Sequence, residues 1–83
     1  MACFIAESYE PNPTATRVRV AAALRRAAAE VAAAGEDVRY IRSIVVPADE
    51  TCFHVFESAS VEAVREASVR ARIVCTRIVE ALE

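Results

Sequence analysis

Cys52 and His54 stand two apart in the run TCFHVFE, and His54 is the single histidine of the chain. In an extended strand, side chains two apart project from one face. The thiol and imidazole could therefore reach one transition-metal ion, and Glu7 could add a carboxylate oxygen. His54 is also the candidate general base or acid, since an ordinary imidazole titrates near neutral pH. Glu7 would orient it, while Tyr40 and Arg42 would hold an anionic or phenolic group. Each reading has a plainer rival. Cys3, Cys52 and Cys75 read equally well as small buried hydrophobes. His54, Glu7 and Arg42 read equally well as interface residues that satisfy one another by hydrogen bonds. The Cys-x-His pair has no second spaced pair to complete a finger or ribbon. With Gly35 the one glycine, no glycine-rich loop exists to cradle a phosphate, which removes dinucleotide and Walker-type mechanisms.

The elements that must position these residues centre on Val38–Glu57. Val, Ile, Tyr, Phe and Thr crowd this stretch on either side of a Pro-Ala-Asp-Glu break, the pattern of a β-hairpin. Met1–Tyr9 precedes it as a short strand, broken by Glu10-Pro11-Asn12-Pro13. Asn12 is a plausible N-cap with Pro13 at the first helical position, and Thr14 or Thr16 are alternatives. From about Thr14 to Ala34, Val20, Leu24, Ala27 and Val31 recur at helical spacing, and Gly35 stands where a left-handed cap ends a helix. After the hairpin, Ser60 is a good N-cap for a short helix with Val61, Val64, Ala67 or Ser68, and Ala71 on its apolar stripe. Ile73–Leu82 returns to strand character. Strand, helix, strand, strand, helix, strand is the split βαβ order of the ferredoxin-like α+β fold. It places a four-stranded antiparallel sheet under two helices in one domain over residues 1–83.

Composition bounds the function. Ten basic residues, all arginine, against twelve acids leave a net charge of −2, so no basic field exists to hold nucleic acid. Hydrophobic residues make up 55% of the chain but are too evenly interrupted by charge for a membrane span. Three unpaired cysteines and no basic-then-apolar leader point to a reduced, cytoplasmic protein.

Strand alternation groups the candidate residues. Cys3, Ile5, Glu7 and Tyr9 are expected on the face that carries Val38, Tyr40, Arg42, Cys52, His54 and Phe56, together with Ile73, Cys75, Arg77 and Val79. Phe4, Ile41, Val45, Phe53 and Val55 form an apolar set suited to the helices. With the usual strand order 4-1-3-2, Glu7 and Tyr9 would come near Cys52 and His54. The mixed face would then line a dimer interface or a pocket between subunits. Ile5, Val38, Ile44, Phe56 and Val79 would be the apolar patch that a second copy covers.

The run TCFHVFESASVEAVREA, preceded by VRYIRS and followed by TRIVEAL, resembles a small ferredoxin-like domain-of-unknown-function family that includes nickel-binding proteins. Its members typically carry a Cys, a hydrophobic strand, Glu-Ala-Pro-Ser and a Val-Arg-Glu helix, and close on an Arg-hydrophobic-hydrophobic-Glu strand. The likeness covers residues 36–82 well and the first strand, with Phe4 and Glu7, loosely. It implies the fold, a homodimer and a link to nickel. Relatives often have His where Ala67 stands and a Gly-hydrophobic-Pro turn where Arg72, Ile73 and Val74 stand, so the resemblance implies weakened nickel binding here. The functional expectation is a dimeric small-ligand or metal-binding protein. Its rivals are a cofactor-free enzyme of the dimeric α+β barrel type acting on a small organic molecule, and a structural or accessory protein with no ligand.

Overall fold

The computed structural model describes residues 1–82, and Glu83 lies outside it. The elements are β1 (Ala2–Tyr9), α1 (Pro13–Ala33), β2 (Val38–Val46), a 3-10 turn (Pro47–Asp49), β3 (Thr51–Ser58), α2 (Val61–Arg70) and β4 (Cys75–Ala81). The four strands form one antiparallel sheet in the order β2-β3-β1-β4, with both helices packed on one side, the expected ferredoxin-like α+β fold.

Local chemistry explains the boundaries. Asn12 occupies the N-cap position of α1 ahead of Pro13, but its backbone is left-handed (φ 53°) and its side chain makes no capping hydrogen bond. Gly35 ends α1 at φ 105°, and the amides of Gly35 and Glu36 donate to the carbonyls of Ala32 and Val31, a Schellman closure. Ser60 caps α2 by accepting from the Ala63 amide at 3.2 Å. The far end of α2 closes in the same Schellman pattern through the amides of Arg72 and Ile73, but the left-handed position (φ 61°) belongs to Arg72. A Cβ is disfavoured there. Arg72→Gly is therefore expected to stabilise the fold by about 0.5–1 kcal/mol. A thermal melt would read this as a rise of about 3–6 °C.

The core lies between the helices and one sheet face. Val20, Leu24, Ala27, Ala28 and Val31 of α1 and Ala63, Val64 and Ala67 of α2 pack on Phe4, Ala6, Val38, Tyr40 and Phe56. The many alanines let α1 sit close to the sheet. Under the helices, however, the sheet also buries Ser8, Cys52, His54 and Ser58.

That burial corrects the face assignment. Opposed residues on neighbouring strands share a face, and β1 pairs with β3 in the register Ala6↔His54 and Glu7↔Phe53. Phe4, Ala6 and Ser8 therefore lie with Cys52, His54 and Phe56, while Cys3, Ile5, Glu7 and Tyr9 lie with Phe53, Val55 and Glu57 on the uncovered side. Alternation holds through β1 and β3, but their phase is offset by one residue, which exchanges the faces. Register shifts break the alternation of β2 and β4, so that Cys75 opposes Ser8 on the covered side while Arg77 and Val79 oppose Glu7 and Ile5 on the open side. Val38 and Phe56 are core residues, not part of an exposed patch, whereas Phe53 and Val55 are on the open face instead of under the helices.

Candidate functional site

A bulge in β2 builds the site. Tyr40 opposes Phe56, but Arg42, not Ile41, opposes Val55, so Ile41 is the inserted residue. Beyond the bulge the phase is reversed. Ser43 joins Tyr40 on the helix-covered face opposite His54, and Arg42 turns to the open face opposite Val55. The sheet thus brings Tyr40 and Ser43 from β2, His54 from β3 and Ser8 from β1 into one hydrogen-bonded row.

The Tyr40 hydroxyl lies 2.7 Å from Ser43 Oγ, Ser43 Oγ lies 2.6 Å from His54 Nδ1, and Ser8 Oγ lies 2.8 Å from His54 Nε2. His54 and Ser8 are fully buried. With no charged partner beside it, burial holds the His54 pKa down at about 4, so the ring is neutral at physiological pH. Both ring nitrogens are already engaged. An imidazole poised to titrate near pH 7 is therefore not what the fold provides.

Proton counting fixes the direction at the imidazole. The Ser8 hydroxyl has no other hydrogen-bond partner among the described residues. If Nε2 carried the proton, the Ser8 hydrogen would be buried without an acceptor, at a cost of about 1–3 kcal/mol. Ser8 therefore donates to Nε2 and the Nδ1–H donates to Ser43, a tautomer assigned from the network. Between Ser43 and Tyr40 either hydroxyl can be the donor, so one hydrogen of this pair is left to point onward. The Tyr40 ring is held edge-on against Phe56 with centroids 5.6 Å apart, and the Arg25 guanidinium stands over its face, 5.3 Å from the centroid.

Tyr40 and Ser43 line a pocket of about 460 Å³ between α1 and β2, with Arg17 and Arg25 at its sides. A larger pocket of about 540 Å³ lies between α2 and β4, lined by Val69, Val74, Ile78 and three arginines. Its interior polar groups are already used: the Ser68 hydroxyl donates to the Val64 carbonyl and the Cys75 thiol to that of Ile73.

The residues singled out in the sequence are divided between the two faces. Tyr40 and His54 are joined through Ser43. Cys52 shares their face, with its thiol pKa pushed up by burial and, less, by Glu10. Cys75 is also raised by burial, partly offset by a hydrogen bond with Ser68. Glu7 is on the opposite side of the sheet, 3.8 Å from Arg77, and Arg42 lies on that side across Val55. Glu7 cannot meet Cys52 and His54 at one ion, nor orient the imidazole. Among the described residues no three His, Cys, Asp or Glu side chains stand close enough together to hold a metal. Ala67 is fully buried in the core and supplies no donor. The described residues of this chain do not fit a nickel ion. Ser8, Ser43, Arg17 and Arg25 were not among the sequence candidates. Ser8 had the one available signal, its phase with Phe4 and Ala6, while Ser43 depends on the bulge.

The family model for nickel responsive protein SCO4226-like proteins matches residues 4–81. The chain belongs to that family. Among solved structures, the fold matches the crystal structure of SCO4226 from Streptomyces coelicolor A3(2) with a TM-score of 0.80 at 21% identity, covering 96% of this chain and 95% of that one. No curated protein matches the chain. The SCO4226-like assignment carries the ferredoxin-like fold and a nickel-related family of small proteins. No helix among the described residues is long and apolar enough to cross a membrane.

Proposed function

We propose that this SCO4226-like protein is a cytoplasmic homodimer that binds a small organic ligand, and that it takes nickel itself only weakly. The observation that supports pairing is the uncovered sheet face. Its lateral rows run Ile44, Phe53, Glu7, Arg77 and Arg42, Val55, Ile5, Val79 across β2, β3, β1 and β4. Ile44 is 49% exposed and Val79 37%, and Ile5, Phe53 and Val55 are partly so. A continuous apolar patch of this kind is seldom left in water.

The face also carries charge of both signs. Acids Glu7 and Glu57 lie on the two central strands, and Arg39, Arg42 and Arg77 lie on the flanking ones. Glu57 is paired with Arg39 and Glu7 with Arg77 within the chain, so a copy turned over by a two-fold axis would bury a face whose charges are largely balanced. At 83 residues the chain also buries only about 60–65% of its unfolded surface alone, so pairing adds needed burial. Three free thiols suit a reducing compartment.

Weak nickel binding follows from the lack of a three-donor cluster and from the buried, doubly bonded imidazole. Calorimetric titration at micromolar protein is expected to give no stoichiometric nickel uptake. Tight binding that survives His54→Ala would show that other donors, supplied across the dimer, had been overlooked.

A further inference from the structure

The pocket between α1 and β2 has features that select a ligand. Arg17 and Arg25 stand two helical turns apart on one side of α1, flanking Ala21, whose small side chain leaves the space open. Among the described residues neither arginine is paired with a carboxylate. Arg17 spends its Nε–H on the Thr14 carbonyl, which leaves its terminal nitrogens free. Arg25 is held over the Tyr40 ring. Both arginines are exposed, and two guanidiniums without a counter-charge favour an anion, their planar donor forks suiting a carboxylate.

The opposite wall adds a second requirement. Ser8 and His54 pass their protons toward Ser43, which leaves one hydrogen of the Ser43–Tyr40 hydroxyl pair free at the pocket wall. A ligand oxygen that accepts this free hydrogen is favoured there. Val18, Ala22 and Val45 make the remaining lining apolar. We propose that this pocket binds a small 2-oxo carboxylic acid with an apolar body. Arg17 and Arg25 take the carboxylate, and Tyr40 donates to the 2-oxo oxygen. The buried His54 acts as a positioning residue that, by donating to Ser43, leaves the hydroxyl pair with a hydrogen for the ligand. This rests on the ligand-binding half of the proposed function and is independent of the pairing of sheet faces.

Three stable probes separate the requirements: benzoylformate has both the carboxylate and the 2-oxo group, phenylacetate lacks the carbonyl, and acetophenone lacks the charge. Calorimetry on the full chain is expected to rank benzoylformate about tenfold tighter than phenylacetate, with acetophenone weaker again. The first gap is about what one hydrogen bond is worth. Tyr40→Phe keeps the ring packing and should abolish the preference for benzoylformate while leaving phenylacetate within about twofold. Arg25→Gln, on the exposed side of α1, should weaken both acids by about tenfold or more. Equal affinity for the two acids, a preference that survives Tyr40→Phe, or no binding of benzoylformate at millimolar concentration would each overturn the proposal. Sedimentation of the same samples reports the oligomeric state separately, so a monomer that still discriminates the acids would refute only the dimer.

Discussion

Phe53→Arg is expected to convert a species sedimenting at twice the 9.0 kDa chain mass into one sedimenting at 9.0 kDa, with the helical and strand content unchanged. Phe53 stands on an interior strand of the open sheet face, between Ile44 of β2 and Glu7 of β1. It is the aromatic side chain nearest the middle of that face, Tyr9 standing at the end of β1, and aromatic residues near the centre of an interface carry a disproportionate share of its energy. Placing a guanidinium there would desolvate a charge in the middle of an apolar interface. A loss of about 3 kcal/mol or more, roughly a hundredfold in dissociation constant, is the expected scale. Because Phe53 contributes nothing to the helix-covered core, the folded protomer should survive. A wild-type chain that sediments as a monomer at micromolar concentration would refute the pairing outright. A Phe53→Arg variant that remains dimeric would place the interface elsewhere.

The second large effect is a loss of stability on mild acidification, and it belongs to His54. Its pKa is about 4 in the folded chain against 6.5 for the free group, because burial penalises the charged ring. Above pH 6.5 both states are neutral and the histidine contributes no pH dependence. As pH falls below 6.5 the unfolded chain takes up a proton that the folded chain refuses, so stability declines until the folded ring also protonates near pH 4. One pKa unit corresponds to about 1.4 kcal/mol, so the full decline is about 3 kcal/mol. Urea unfolding at fixed protein concentration, repeated from pH 7 to pH 4, measures it. His54→Gln keeps amide groups for the flanking hydroxyls but does not titrate. It should lower stability at pH 7 and flatten the profile over that window, leaving only the slope due to carboxylates. A variant whose profile matches the wild type would show that His54 is not the group responsible.

Much of the architecture follows from local chemistry that the sequence carries openly. Gly35, Ser60 and Pro13 mark helix boundaries because each answers a backbone requirement within a few residues of itself. The alternation of β3 is equally local: Cys52, His54 and Phe56 do share a face, as a period of two demands. The family phrase around TCFHVFE adds the same fold.

What the tertiary structure alone decided is which strand faces coincide. Register between β1 and β3 is set by long-range pairing, and a slip of one residue moves Glu7 from the His54 side to the Phe53 side with no change in either strand's pattern. Residue character gave a misleading cue, because apolar Phe53 and Val55 suit a helix-packed face. Ser8, His54 and Ser43 occupy that face because they satisfy one another by hydrogen bonds and so can be buried. The bulge at Ile41 is likewise invisible in the residues. It sends Arg42 outward and brings Ser43 in beside Tyr40, and this one inserted residue makes the row of hydroxyls and imidazole that the pocket between α1 and β2 requires.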